Sequence, residues 1–135
     1  MAFVVDASVV AAWILPDESS DAADAILRRV SVEGAMAPDL LWHEVRNILV
    51  IATRRDRMVQ QEIVPSLLRL RRLPIETVNV SASSDAGLTD LAWRYGLTAY
   101  DAAYLYLGLE RRVALATADR ALRKAAASAG LSLIS

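Results

Sequence analysis

Four carboxylates stand where chemistry could use them. Asp6 interrupts the apolar run "FVVDASVVAAWI". An ionised carboxylate is costly to bury unless something compensates it, so Asp6 either marks an exposed break between two elements or holds something. Asp119 closes "VALATAD", Asp101 opens the apolar stretch in "GLTAYDAAYLYLGL", and Glu44 is the one acid of "LLWHEVRNIL". Asn47 follows Glu44 by three residues, on nearly the same helical face. Singly, each has an ordinary explanation. First-turn acids favour a helix dipole by about 0.3–1 kcal/mol, and Glu44 could face solvent. Together they suggest a site. Clustered carboxylates repel, and some stay protonated unless a cation sits among them. All-oxygen donors suit Mg²⁺, which takes one or two carboxylates directly and keeps several waters. Such a site fits metal-assisted phosphodiester hydrolysis. With no cysteine and one histidine, a zinc site of the usual nitrogen and sulfur kind is not expected.

The elements that must position these groups alternate between strand and helix. Phe3–Asp6 reads as a short buried strand, 35–38 ("AMAP") as a second, 73–80 ("LPIETVNV") as a third, 113–117 as a fourth and 131–134 ("LSLI") as a last one. Helices are expected over 7–15, from a Ser19 or Ser20 cap to Gly34, over 40–55 with Asp39 as cap, over 60–72, 85–95, from Thr98 or Ala99 to 111, and over 119–129. Pro65 implies a kink or a later start in the fourth of these. Strands separated by helices predict a parallel sheet covered on both faces. Asp6 and Asp119 then fall at strand ends, the edge where open α/β sheets bind ligands. Ser8 follows Asp6 closely enough to hydrogen-bond beside it. At 135 residues the chain reads as one domain, 1–135, able to bury a core without staples.

Composition narrows the classes. Hydrophobic content of 55% and charged content of 23% describe a globular chain. No stretch reaches the roughly 18–20 apolar residues of a membrane span. The apolar start has no basic region before it, so a signal peptide is not expected and the cytoplasm is the expected location. A net charge of −1 does not announce a nucleic-acid binder, yet Lys124 is the only lysine among 15 basic residues, and guanidinium suits bidentate phosphate contacts.

At "VVDASVV", "LLWHEVRNIL", "GLTAYDAAYLYLGLE" and "LATADRAL" the sequence resembles PIN-domain proteins, and more closely the VapC-type toxin ribonucleases of toxin–antitoxin pairs. Order and spacing match across essentially the whole chain. The resemblance implies a three-layer α/β/α sandwich with a small, mostly parallel sheet. It implies Mg²⁺ or Mn²⁺ held by Asp6 and Asp101, with Glu44 and Asp119 completing an acidic pocket. Ser8 and Thr117 match polar positions that hold those carboxylates or waters. The implied activity is metal-dependent endonucleolytic cleavage of single-stranded or looped RNA. The implied partners are the RNA, a small antitoxin whose tail plugs the acidic groove, and a second copy in a homodimer.

Arg46, Arg54, Arg55 and Arg120 lie near the acidic segments in sequence and are candidates for the RNA backbone. His43 is expected to face away from whatever Glu44 faces, because neighbours on a helix point about 100° apart. Asp85 and Asp90 read as a helix-start acid and a solvated one. Tyr100 could stack a base beside Asp101, Tyr104 reads as core, and Trp13, Trp42 and Trp93 read as core or interface. Two rival readings differ in class. A phosphorylated receiver needs an acid ending a central strand and a partnering lysine, but "IETVNV" ends in Asn79 and Val80. A catalytically silent scaffold that binds RNA or protein is the other, and the presence of all four acids argues against it.

Overall fold

A computed structural model describes residues 2–134. Four strands, β1 (Phe3–Val5), β2 (Ala35–Pro38), β3 (Ile75–Val78) and β4 (Leu115–Ala116), form one sheet in the order β3-β2-β1-β4. Every pairing is parallel, with Phe3 beside Ala35, Ala35 beside Ile75 and Val4 beside Leu115. Phe3, Val4 and Val5 are all buried. Successive strand residues point to opposite faces, so both faces of the sheet are covered, as a parallel sheet requires.

Among the described residues seven α-helices supply the cover: α1 (Ala7–Ala12), α2 (Asp21–Glu33), α3 (Leu41–Arg54), α4 (Ile63–Leu70), α5 (Asp85–Tyr95), α6 (Ala99–Arg111) and α7 (Arg120–Ser128). The buried row Leu41, Val45, Leu49 and Ala52 repeats at helical spacing and turns α3 inward. Helix α6 lies on β1 and β2, with α5 and α7 against it, while α1 packs on α3. From β1 the chain steps outward to β2 and β3, then crosses back over the sheet through α5 and α6 to β4 on the far side of β1. The carboxyl ends of β1 and β4 therefore flank the point where strand order reverses, which is where such sheets leave a crevice for ligands.

Several expected boundaries move, each for a local reason. Asp39 does not cap α3. Its N–H is taken by the Val78 carbonyl at 2.9 Å, which continues the β2–β3 ladder and leaves Leu40 as the cap residue. Of the two options at Pro65 the later start is realised: a 3₁₀ turn covers Gln60–Glu62 and α4 begins at Ile63, so the ring sits in the first turn, where the missing N–H has no partner to lose. The first helix ends at Ala12 rather than residue 15, before a 3₁₀ turn at Pro16–Glu18. The expected last strand shrinks to one bridge between Leu115 and Leu133. Strand β4 is two residues long, and Leu115 alone offers its N–H to Ser132 and its carbonyl to Ile134. Trp93 is 90% exposed on the outer face of α5, so the core reading fails there.

Candidate active site

Asp6 sits at the first residue after β1 and caps α1. Its backbone is extended, and Oδ1 accepts from the Val9 N–H at 3.1 Å and from the Ser8 hydroxyl at 2.7 Å. The Thr117 hydroxyl, at the end of β4, donates to Oδ2. Neighbouring strand ends thus bring residues 111 positions apart into contact. The Ser8 hydroxyl also accepts from the Ala118 N–H at 3.1 Å, and the Thr117 hydroxyl accepts from the Asp119 N–H at 3.0 Å. Asp119 in turn caps α7, accepting from Leu122 N–H at 2.8 Å. Asp6, Ser8, Thr117 and Asp119 form one continuous polar chain across the switch point.

Glu44 and Asp101 approach from the helices. Asp101 lies in the first turn of α6, its N–H held by the capping Thr98 hydroxyl at 3.1 Å. Glu44 lies in the first turn of α3 and accepts from the Tyr104 hydroxyl at 2.7 Å. Tyr104 is buried, as a core residue would be, but its hydroxyl reaches the site. That role was hidden in the sequence, because Glu44 and Tyr104 are 60 positions apart. Asn47 is exposed, and its side chain makes no hydrogen bond to a described residue. Arg54 and Arg55 end α3, roughly 15 Å along the helix from Glu44 by its rise per residue, so they do not flank the acids. Arg46 is exposed near His43 and Arg120 follows Asp119 directly.

The charges are unbalanced. Burial pushes the Asp6 carboxyl above its ordinary range, its three hydrogen bonds oppose that, and the Asp101 charge adds to it. Burial also raises Glu44, countered by Tyr104 and reinforced by Asp101 and Asp6. Asp101 is raised by burial and by Asp119, with Thr98 opposing. Burial and Glu44 push the Tyr104 phenol well up, so it stays a donor. Among the described residues no arginine, lysine or histidine pairs with any of the four acids. Nor do three of them close into a ready-made metal cage. Carboxylates that repel one another are eased by a cation among them.

A family model described as "PIN domain" matches residues 3–128. This chain belongs to the PIN-domain family. The PIN domain here is 33% identical over 125 residues to "Ribonuclease VapC3" of Pyrobaculum aerophilum, covering 90% of this chain and 92% of that protein. A crystal structure of a Pyrobaculum aerophilum protein superimposes with a TM-score of 0.71 at 22% identity, over 99% of this chain and 90% of that one. That likeness speaks for the fold. No helix among the described residues is long and apolar enough to cross a membrane.

The raised carboxyls of this PIN domain set a pH dependence. A carboxyl whose folded value lies above its unfolded one stabilises the fold below the unfolded value, and that stability is lost as pH rises through the folded value. For Asp6, Glu44 and Asp101 the window therefore opens above about pH 4. In chelator, the melting temperature is expected to fall as pH rises from about 4 through the folded values of these groups, and to fall less in Asp101→Asn. Arg57 lowers Asp17 instead, so the stability Asp17 adds is lost on acidification below about pH 4, outside that range. A chelated Asp101→Asn chain whose melting temperature tracks the wild type at every pH above about 4 would contradict the arrangement.

Proposed function

We propose that this PIN domain is a metal-dependent endoribonuclease, the toxin of a toxin–antitoxin pair, that hydrolyses phosphodiester bonds in single-stranded or looped RNA. One observation carries the reading: a buried carboxylate, Asp6, is fixed by three hydrogen bonds at the switch point of a parallel sheet, beside three further acids and no paired cation. The name of the relative from Pyrobaculum aerophilum supports the ribonuclease class.

Asp6 and Asp101 would hold Mg²⁺ or Mn²⁺ directly, with Glu44 and Asp119 reaching it through water. The ion supplies two things when bound: acidity to water and positive charge for the phosphate oxygens. The protein supplies the rest. Ser8 and Thr117 fix the orientation of Asp6, while Tyr104 fixes Glu44. Glu44 and Asp119 orient the attacking water, and Glu44, already held above the usual carboxylate range, is suited to receive its proton. Arg46 and Arg120 stand near enough in the chain to meet the RNA backbone. The partners that complete the reading are a small antitoxin whose tail covers the acidic groove, and a second copy in a homodimer, all in the cytoplasm.

The test is cleavage of a structured RNA mixture by the purified chain with Mg²⁺, with Mn²⁺ and with chelator. Cutting with either metal and none in chelator is expected, together with a higher melting temperature in Mn²⁺, since an ion that binds only the folded state stabilises it. Cutting that ignores chelator and survives Asp101→Asn would sink the reading. No cutting by any form, with no growth arrest on expression, would favour the silent scaffold.

A further inference from the structure

Beside the acidic site lies a groove of about 490 Å³. Helix α1 gives it Val9 and Ala12, the start of α2 gives Ala22 and Ile26, and the β4–α7 turn gives Thr117 and Ala118. Thr117 is shared: its hydroxyl holds Asp6, and the residue also lines the groove. The wall holds two charged side chains, Glu18 and Arg123. Glu18 is spoken for by Arg57. Arg123, half-buried one turn along α7 from Asp119, donates from Nη1 to the Thr117 carbonyl at 3.2 Å. That is its side chain's one hydrogen bond to a described residue, and no carboxylate pairs with it. A guanidinium carries five N–H donors in a planar fork.

We infer that this groove is the subsite for a nucleotide next to the scissile phosphate, with the Arg123 fork on that nucleotide's phosphate and the apolar walls against its ribose and base. The inference rests on the ribonuclease reading and adds to it the residue that offsets the acids. A polyanion approaching four carboxylates needs positive charge close by, and Arg123 is a half-buried cation on the wall that joins the groove to Asp6. Its anchor on the Thr117 carbonyl presets the fork, so little freedom is lost on binding. The volume falls within the range of ordinary ligand sites, which are mostly apolar with a few placed polar groups. This one has that make-up. An acidic peptide tail could meet the same cation, and the experiment separates the two.

The experiment measures binding of a short single-stranded RNA of mixed sequence to the Asp6→Asn chain, across salt concentrations. Arg123→Ala in that background is expected to weaken binding about 10-fold. It is also expected to reduce the slope of log affinity against log salt by about 0.7, the value of one phosphate contact on a single strand. Arg123→Lys keeps the slope, because the charge remains. Ala22→Trp, at an exposed position on the groove wall, fills the groove without touching the core; it is expected to weaken RNA binding while leaving the slope unchanged. In the cleaving chain Arg123→Ala raises KM more than it lowers kcat. Should Arg123→Ala melt early, Arg123→Lys and Ala22→Trp decide in its place. Wild-type affinity and slope in Arg123→Ala, with Ala22→Trp also silent, would overturn the subsite and leave the groove to a peptide, while the ribonuclease reading stands. No RNA binding by the Asp6→Asn chain at all would overturn both.

Discussion

Replacing Asp6 with asparagine is expected to lower RNA cleavage by about 10²- to 10³-fold while leaving the melting temperature in chelator equal or higher. On the proposed reading, the loss follows from what the ion would contribute. Lewis-acid stabilisation is worth several kcal/mol, and each ~1.4 kcal/mol is a factor of ten in rate. An amide offers one neutral oxygen in place of a carboxylate. The stability effect has the opposite sign because the native carboxylate is held against its own preference: it is buried, and it feels Asp101. An asparagine keeps an oxygen for Ser8 and the Val9 N–H, so the α1 cap survives. Its NH₂ can donate to the Thr117 hydroxyl, which has two lone pairs and spends one on the Asp119 N–H. One hydroxyl proton must turn elsewhere, and the desolvation and repulsion of a buried charge disappear. Parallel assays of Asp101→Asn, whose side chain caps no helix, keep the test clean. Cleavage at the wild-type rate in both variants would remove these acids from the chemistry. An Asp6→Asn chain that fails to fold while Asp101→Asn cuts normally would leave Asp6 a helix cap.

The opposite signs of those two effects show why Asp6 was visible in the sequence. A charge inside "FVVDASVV" is a local conflict between hydrophobic pattern and chemistry, and such conflicts concentrate where function overrides packing. Asp119 was visible for a related reason, since it follows a short apolar strand run and opens a helix. The alternation of strands and helices placed both at one sheet edge without any long-range information. What the sequence left hidden depends on side chains reaching across the fold. Tyr104 occupies a helix position that packing alone explains, and only its hydroxyl's partner, 60 positions away, reveals a second role. Arg123 is one of several arginines, distinguished by what its neighbours leave unpaired. The misplaced ends have the same origin. Asp39 carries the right residue type for a cap, but the Val78 carbonyl claims its N–H. The "LSLI" run has strand character, but the length of β4 limits how much of it can pair. Asn47 shares a helix with Glu44 but is exposed and hydrogen-bonds none of the acids.

Thr117→Val is expected to cost about 10- to 100-fold in activity or metal affinity, the usual scale for a group that orients a metal ligand, although valine has the same shape as threonine. The buried hydroxyl serves two neighbours at once, donating to Asp6 and accepting from the Asp119 N–H at 3.0 Å. Valine leaves both short. Losing a partner for a buried polar group costs about 1–3 kcal/mol, so the melting temperature also drops. A purely structural role would predict that drop and nothing else. The position of Thr117 predicts more. Its hydrogen bond favours the ionised form of Asp6 and opposes the upward pull of burial. Without it the Asp6 carboxyl rises further, because a donor to the charged form has been removed. On the proposed reading, protons would then compete with the metal at higher pH. The rising limb of the pH–activity profile is therefore expected to move to higher pH in Thr117→Val, and to return close to its original place in Thr117→Ser, which restores the hydroxyl. Raising Mn²⁺ is expected to recover part of the lost activity at neutral pH and more above it, as the carboxylate becomes available. A Thr117→Val chain that melts early but keeps its pH limb and its metal requirement would make the hydroxyl a packing and capping group only, and would separate the tight geometry around Asp6 from the chemistry assigned to it.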